Sequence, residues 1–119
     1  MDVLVVEADE QRRQDLIGGL EARGYVTLAA ADVDHAEALA RERRIGLALC
    51  DSDLVIGPGS FLAEALRRSS ATVLYTCPER LAPERLRTFW LNRGADVPSV
   101  VRLVEWLQPP RPKIDDSKT

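Results

Sequence analysis

The chain has 119 residues, 45% of them hydrophobic and 29% charged, and carries a formal net charge of −3 at pH 7. That length suits one domain with a full hydrophobic core, and the acidic balance gives no electrostatic reason to expect binding to nucleic acid or anionic lipid. The apolar runs fall far short of a membrane span, and the opening MDVLVVEADE lacks the basic stretch of a secretory signal.

Two cysteines, Cys50 and Cys77, cannot make a zinc site without more ligands, and the single His35 does not complete one. A reduced, cytoplasmic protein is therefore expected.

Residues 3–6, VLVV, form a short β-branched and apolar run, the pattern of a strand buried on both faces. The run breaks at Glu7, and Asp9 is placed to cap a following helix. That helix carries Leu16, Ile17 and Leu20 on one face and Arg12, Arg13 and Arg23 elsewhere, and Gly24 ends it. YVTLAA (25–30) reads as a second strand. Asp34 with Glu37 has the form of a capping box, opening a helix whose stripe Ala36, Leu39 and Ala40 runs down to Arg44. IGLALC (45–50) is a third strand. After the turn Gly57-Pro58-Gly59, the spacing of Phe61, Leu62, Ala65 and Leu66 predicts a helix, and ATVLYT (71–76) a fourth strand.

The last third can be divided in two ways. In the first, RTFWL (87–91) is the fifth strand, and Val97, Val100, Val101, Val104 and Leu107 face a final helix inward, with Pro98 in its first turn. Residues 78–86 then have room for no more than a turn or two of helix. In the second, residues 83–93 form a helix and VPSVV is the strand. The first is preferred, because the second leaves a terminal helix of only one or two turns. From Gln108 the chain, QPPRPKIDDSKT, is proline-rich and charged, so the folded domain is expected over 1–108 and a disordered tail or linker over 109–119.

Apolar strands alternating with amphipathic helices call for an α/β fold with a parallel sheet and helices on both sides. Right-handed crossovers make it a doubly wound sandwich. Ligands of such sheets bind beyond the carboxyl ends of the strands, at the point where strand order switches. Those ends carry Glu7, Asp9, Asp51 and Asp53, with Thr76 alongside on the fourth strand. Clustered carboxylates repel and need a counterion, and hard oxygen ligands suit Mg²⁺. The plainer reading is that acids at strand ends keep loops soluble and cap helices. The grouping at corresponding strand ends favours a shared site.

At this point the chain resembles the receiver domains of two-component response regulators over residues 2–108. DVLVVEADEQRRQDLIGGLEARGY is similar to the family's first strand and helix, and DVDHAEALARERRIGLALCD to its second helix leading to the phosphorylated aspartate. Gly59 lies eight residues after Asp51, where receivers place a turn glycine. The resemblance implies a flavodoxin-like fold of five parallel strands in the order 2-1-3-4-5. It makes Asp51 the phosphoacceptor, whose carboxylate attacks a phosphohistidine of a kinase in line, with Mg²⁺ neutralising the oxygens. Glu7, Asp51 and the Asp53 backbone carbonyl would be the metal ligands, Thr76 the switch hydroxyl, Trp90 the aromatic switch position and Arg93 the stand-in for the family's lysine. Thr76 also fits as a β-branched strand residue, Trp90 as core and Arg93 as a solvated loop charge.

The chain departs from the family's pattern at several points. Receivers carry two adjacent acids after the first strand, and here the pair is Glu7-Ala8. Ala8 removes a direct metal ligand, and ligand charge count sets affinity. Asp9 is directed elsewhere by the first turn of its helix. A planar guanidinium at Arg93 does not replace a compact ammonium, Val55 stands where a proline is usual, and the helix between strands four and five is short or missing.

The expectation is an atypical receiver or pseudo-receiver, a signalling interaction module with weak or absent Mg²⁺-dependent phosphorylation at Asp51. A working receiver phosphorylated there by a histidine kinase is the runner-up. A small Mg²⁺-dependent phosphohydrolase, suggested by the D-x-D spacing of Asp51 and Asp53, would need a general acid/base beyond the nucleophile. A flavodoxin is disfavoured because EADEQRR lacks the amide-rich phosphate cradle. The expected partners are a histidine kinase or another signalling protein, with neither nucleic acid nor membrane. Trp106 and Leu107 offer a surface for a homodimer, although core burial is the safer assumption for Leu107, and His35 is expected to be exposed. Cys77, beside Thr76, is expected to be an inert small residue.

Overall fold

The computed structural model describes residues 2–51, 62–68, 72–77, 88–92 and 94–109. In chain order these form β1 (Asp2–Val6), α1 (Glu10–Glu21), β2 (Thr27–Ala30), α2 (Val33–Glu42), β3 (Ile45–Asp51), α3 (Leu62–Arg68), β4 (Thr72–Cys77), β5 (Thr88–Asn92) and α4 (Val97–Leu107). The strands make one five-stranded sheet in the order β2-β1-β3-β4-β5, with every neighbouring pair parallel. The preferred division of the last third is the one adopted: β5 lies one residue beyond the expected 87–91, and 97–107 is the final helix. The expected turn at 57–59, the segment 78–86 and the tail from 110 lie outside the described residues.

The apolar strands are explained by the two layers they serve. Val3 and Val5 pack on one side with Leu16 and Leu20 of α1 and Val100, Val101 and Val104 of α4. Leu4 and Val6, the alternate residues, pack on the other side with Ala36 and Ala40 of α2 and Leu62 and Leu66 of α3. β3 repeats the alternation, with Leu47 and Leu49 toward α1 and α4 and Ala48 and Cys50 toward α2 and α3. At its start the register shifts: Asp2 pairs with Ile45 but Val3 with Leu47. Gly46 is thus an extra residue, the alternation changes phase there, and Ile45 joins the α2–α3 side. Burying such side chains from water is worth about 1.5–3 kcal/mol each, which is why these runs read so clearly as strands.

The helix ends follow local rules with one correction. Asp9 caps α1, its Oδ1 accepting the Arg12 amide at 2.9 Å. At the other end Gly24, at φ +92°, donates to Glu21 O, and Tyr25 N–H donates to Leu20 O at 3.2 Å. That is a Schellman closure, and it needs the left-handed residue that glycine supplies. Tyr25, expected inside the second strand, instead ends this turn with its ring in the core and its hydroxyl donating to Gln108 O at the end of α4. Burial and the Glu105 charge push its phenol up to about 12.

α2 is capped by Asp32, whose Oδ1 accepts the His35 amide at 2.8 Å, and not by Asp34. Val33 packs against the core and draws the helix start two residues earlier. His35 is exposed, as expected. Asp96 caps α4 through the Ser99 amide at 2.8 Å, with Pro98 in its first turn. Leu107 is partly buried against the core, while Trp106 is 77% exposed.

Candidate functional site

The sheet register brings the expected residues to one rim. Val6 is paired with Cys50, so the next residues along those strands, Glu7 and Asp51, stand side by side at the carboxyl end. Asp51, the last residue of β3, is in turn paired with Thr76 of β4. Thr76 pairs with Leu91, and Cys77 with Asn92, at the end of β5. Trp90 lies one step back, paired with Tyr75. β1 and β3 are the strands at which the chain order reverses, and that is where a doubly wound sheet opens its crevice. Asp53 and Arg93 lie outside the described residues, as do Val55 and Gly59.

Glu7 continues the ladder with β2, donating its amide to Ala30 O at 3.0 Å, and its carboxylate Oε2 accepts the Asp9 amide at 3.3 Å. Burial raises the Glu7 carboxyl above its ordinary value of 4.5, and the charge of Asp51 raises it further. The Asp9 amide and the Arg12 guanidinium oppose that shift. Two acids that feel one another across adjacent strands form a place where positive charge is favoured. Asp51 itself is partly exposed, and Cys50 before it is fully buried, its thiol pushed up to about 12 chiefly by that burial. A thiol so held is an inert core residue.

The oxygen donors present are the kind a hard cation takes. Position 8 offers a methyl group, and the Asp9 carboxylate is occupied with the Arg12 amide as the α1 cap. Among the described residues no three His, Cys, Asp or Glu side chains are grouped so as to hold a metal ion. The described donor set is thus Glu7 and Asp51, which is short of a closed cage.

Two residues gain a role that their pattern in the chain did not suggest. Arg13 Nη1 donates to Glu7 O at 2.9 Å and Ala8 O at 3.4 Å, so it holds the β1–α1 loop by its backbone. Arg12 Nη2 donates to Ala95 O at 2.7 Å, across to the segment before α4. Read by helical periodicity, both are simply off the apolar face. The available signal was their place in the first turn after β1, close to the rim.

A parallel sheet of this order, with helix pairs on both faces and acids at its switch point, is a flavodoxin-like doubly wound fold. No family model matches the chain, and no curated protein matches it by sequence. Solved structures do. The receiver domain of the hybrid histidine kinase CckA is 25% identical, with 90% of this chain and 98% of that one covered and a TM-score of 0.70. The chemotaxis response regulator CheY4 of Vibrio cholerae is 22% identical, with 89% and 97% covered and a TM-score of 0.73. A response regulator of Burkholderia pseudomallei, solved with a phosphorylated aspartic acid, a calcium ion and citrate, is 21% identical, with 98% and 70% covered and a TM-score of 0.67. The fold of this chain is that of a response regulator receiver domain. Among the described residues no helix is long and apolar enough to cross a membrane.

Proposed function

We propose that the chain is an atypical receiver domain, a signalling interaction module of a two-component pathway whose phosphorylation at Asp51 is weakened. The observation that carries this reading is the placement of Glu7 and Asp51 one residue beyond the paired Val6 and Cys50 on adjacent strands, with alanine at the next position and Asp9 turned to capping α1. Asp51 has the position and the partial exposure of a phosphoacceptor. In the transfer its carboxylate oxygen bonds to phosphorus as the phosphorus–nitrogen bond of a kinase phosphohistidine breaks, and the electron pair leaves with the imidazole. Mg²⁺, when bound, would spread the charge on the phosphoryl oxygens. Glu7 and Asp51 would hold it, with the Asp53 carbonyl as a third ligand, and the loss of one charged ligand at position 8 makes its binding weak.

Thr76, next to Asp51 in register, is the switch hydroxyl in this reading, Trp90 the aromatic switch position, and Arg93 the stand-in for the family's lysine. The receiver unit spans 1–108, with 109–119 a tail or linker, in the cytoplasm, and the partner is a histidine kinase or another signalling protein. Exposed Trp106 on α4 is the apolar contact offered to a partner or a second copy.

The test is Mg²⁺ with the phosphoryl mimic beryllofluoride, followed by amide chemical shifts. The atypical reading expects little or no response at Asp51, Thr76 and Leu91 at millimolar-range Mg²⁺. Saturable shifts at those amides, abolished in Asp51→Asn, would instead establish a working receiver.

A further inference from the structure

Two consecutive arginines in the first turn of α1 serve the rim differently. Arg13 binds its own loop, at Glu7 O and Ala8 O. Arg12 reaches a carbonyl 83 residues away, Ala95 O, through a part-buried hydrogen bond of 2.7 Å. Ala95 lies between β5 and α4, directly before Asp96, the residue that caps α4. In the sheet, β1 and β5 are separated by β3 and β4. At about 4.8 Å per strand, their ends start about 14 Å apart. The Arg12 side chain closes that gap from the helix layer, on the side where α1 and α4 share a core. Its donor is charged, which makes the bond stronger than one between neutral groups. Its charge also favours the ionised forms of Glu7 on one side and Asp96 on the other.

We propose that Arg12 is a positioning residue of the rim: by holding the Ala95 carbonyl from the first turn of α1, it sets where the β5–α4 segment lies against the β1–α1 loop. The functional meaning of this tie rests on the receiver reading, because the held segment follows directly on Arg93 in the chain.

Residue-resolved amide hydrogen exchange on the full chain tests this with three variants, Arg12→Met, Arg12→Lys and Arg13→Met. Arg12→Met should speed exchange at Ser99 and Val100, whose amides donate to Asp96 directly after the held carbonyl, by about tenfold or more. The core amides of Leu4 and Leu49 should stay unchanged. Arg12→Lys, which keeps one charged donor, should restore slow exchange in part, and Arg13→Met should leave Ser99 and Val100 as they are. Unchanged exchange at Ser99 and Val100 in Arg12→Met overturns the proposal. So does an equal acceleration at those two amides and in the core, which would mark a merely structural role. The exchange pattern decides Arg12 whether or not the wild type answers Mg²⁺ and beryllofluoride, so failure of this inference and failure of the receiver reading are told apart.

Discussion

β1 and β3 change character within a single residue. Val3 to Val6 and Leu47 to Cys50 are 2% exposed or less and are packed on both faces. One step further along each strand, Glu7 and Asp51 are charged, partly exposed and adjacent. The floor is held by burial, which is non-directional and tolerates any well-packed apolar residue. The rim is held by directed contacts: a capped helix start, two arginine side chains on backbone carbonyls, and two carboxylates that oppose one another. Burial fixes where the carboxylates are presented, while the charges decide what can approach them. A substitution in the floor should therefore move stability, and one in the rim should move ligand response and its dependence on pH.

The largest effect is expected from the floor beneath Asp51. Leu49→Ala empties a fully packed position two residues before Asp51, and should lower unfolding free energy by about 2–5 kcal/mol. The lower urea midpoint should come without a change in slope. A loss well below that range would mean that the floor collapses around the cavity and is less rigid than its burial implies.

A finer test compares neighbouring glycines of α1. A Cβ at Gly19 would lie 2.9 Å from Val97 Cγ1 and 3.0 Å from Val101 Cγ2, whereas one at Gly18 would meet nothing within 4 Å. Both substitutions to alanine gain the same helix propensity, so that gain cancels between them. The remaining difference is overpacking against two stiff valines, about 1–3 kcal/mol. Gly18→Ala should raise the melting temperature, and Gly19→Ala should fall below it by that margin. Equal behaviour of the two would show that α1 and α4 can separate without cost.

The floor was largely legible in the chain because unbroken apolar runs and helical stripes are strong, local signals. VLVV and IGLALC mark β1 and β3 to within a residue, and the spacing of Val100, Val101 and Val104 marks α4. The exceptions arose where local chemistry offered a choice. Asp32 and Asp34 each stand three residues before a plausible capping partner, His35 and Glu37, and the packing of Val33 against the core selected Asp32. Tyr25 has strand propensity, but the Schellman closure at Gly24 uses its amide and turns the ring inward. The grouping of Glu7, Asp51 and Thr76 followed from topology alone, since parallel strands align their carboxyl ends. The Arg12 contact did not, because nothing local joins residues 12 and 95. Asp53 and Arg93, proposed as a metal ligand and as the lysine's stand-in, lie outside the described residues.

The smallest effect, and the one most specific to the rim, is the pH dependence carried by Glu7. Its native carboxyl titrates above 4.5, first because it is buried and next because Asp51 stands beside it. Between the ordinary value and the raised one, the folded chain binds more protons than the unfolded chain. Stability must then fall as pH rises through that window. The contribution is fully present below the ordinary value and is lost once Glu7 ionises in the fold. Glu7→Gln should remove this slope, so that the variant gains stability relative to wild type from acid toward neutral pH. Asp96 runs the other way: its carboxyl is lowered, chiefly by its hydrogen bonds to Ser99, so its contribution is present above 3.8 and lost on acidification. Urea unfolding of wild type and Glu7→Gln across that range separates the two. A difference curve flat with pH would mean that neither burial nor the Asp51 charge raises the Glu7 carboxyl, and the rim would lose the pH dependence that distinguishes it from the floor.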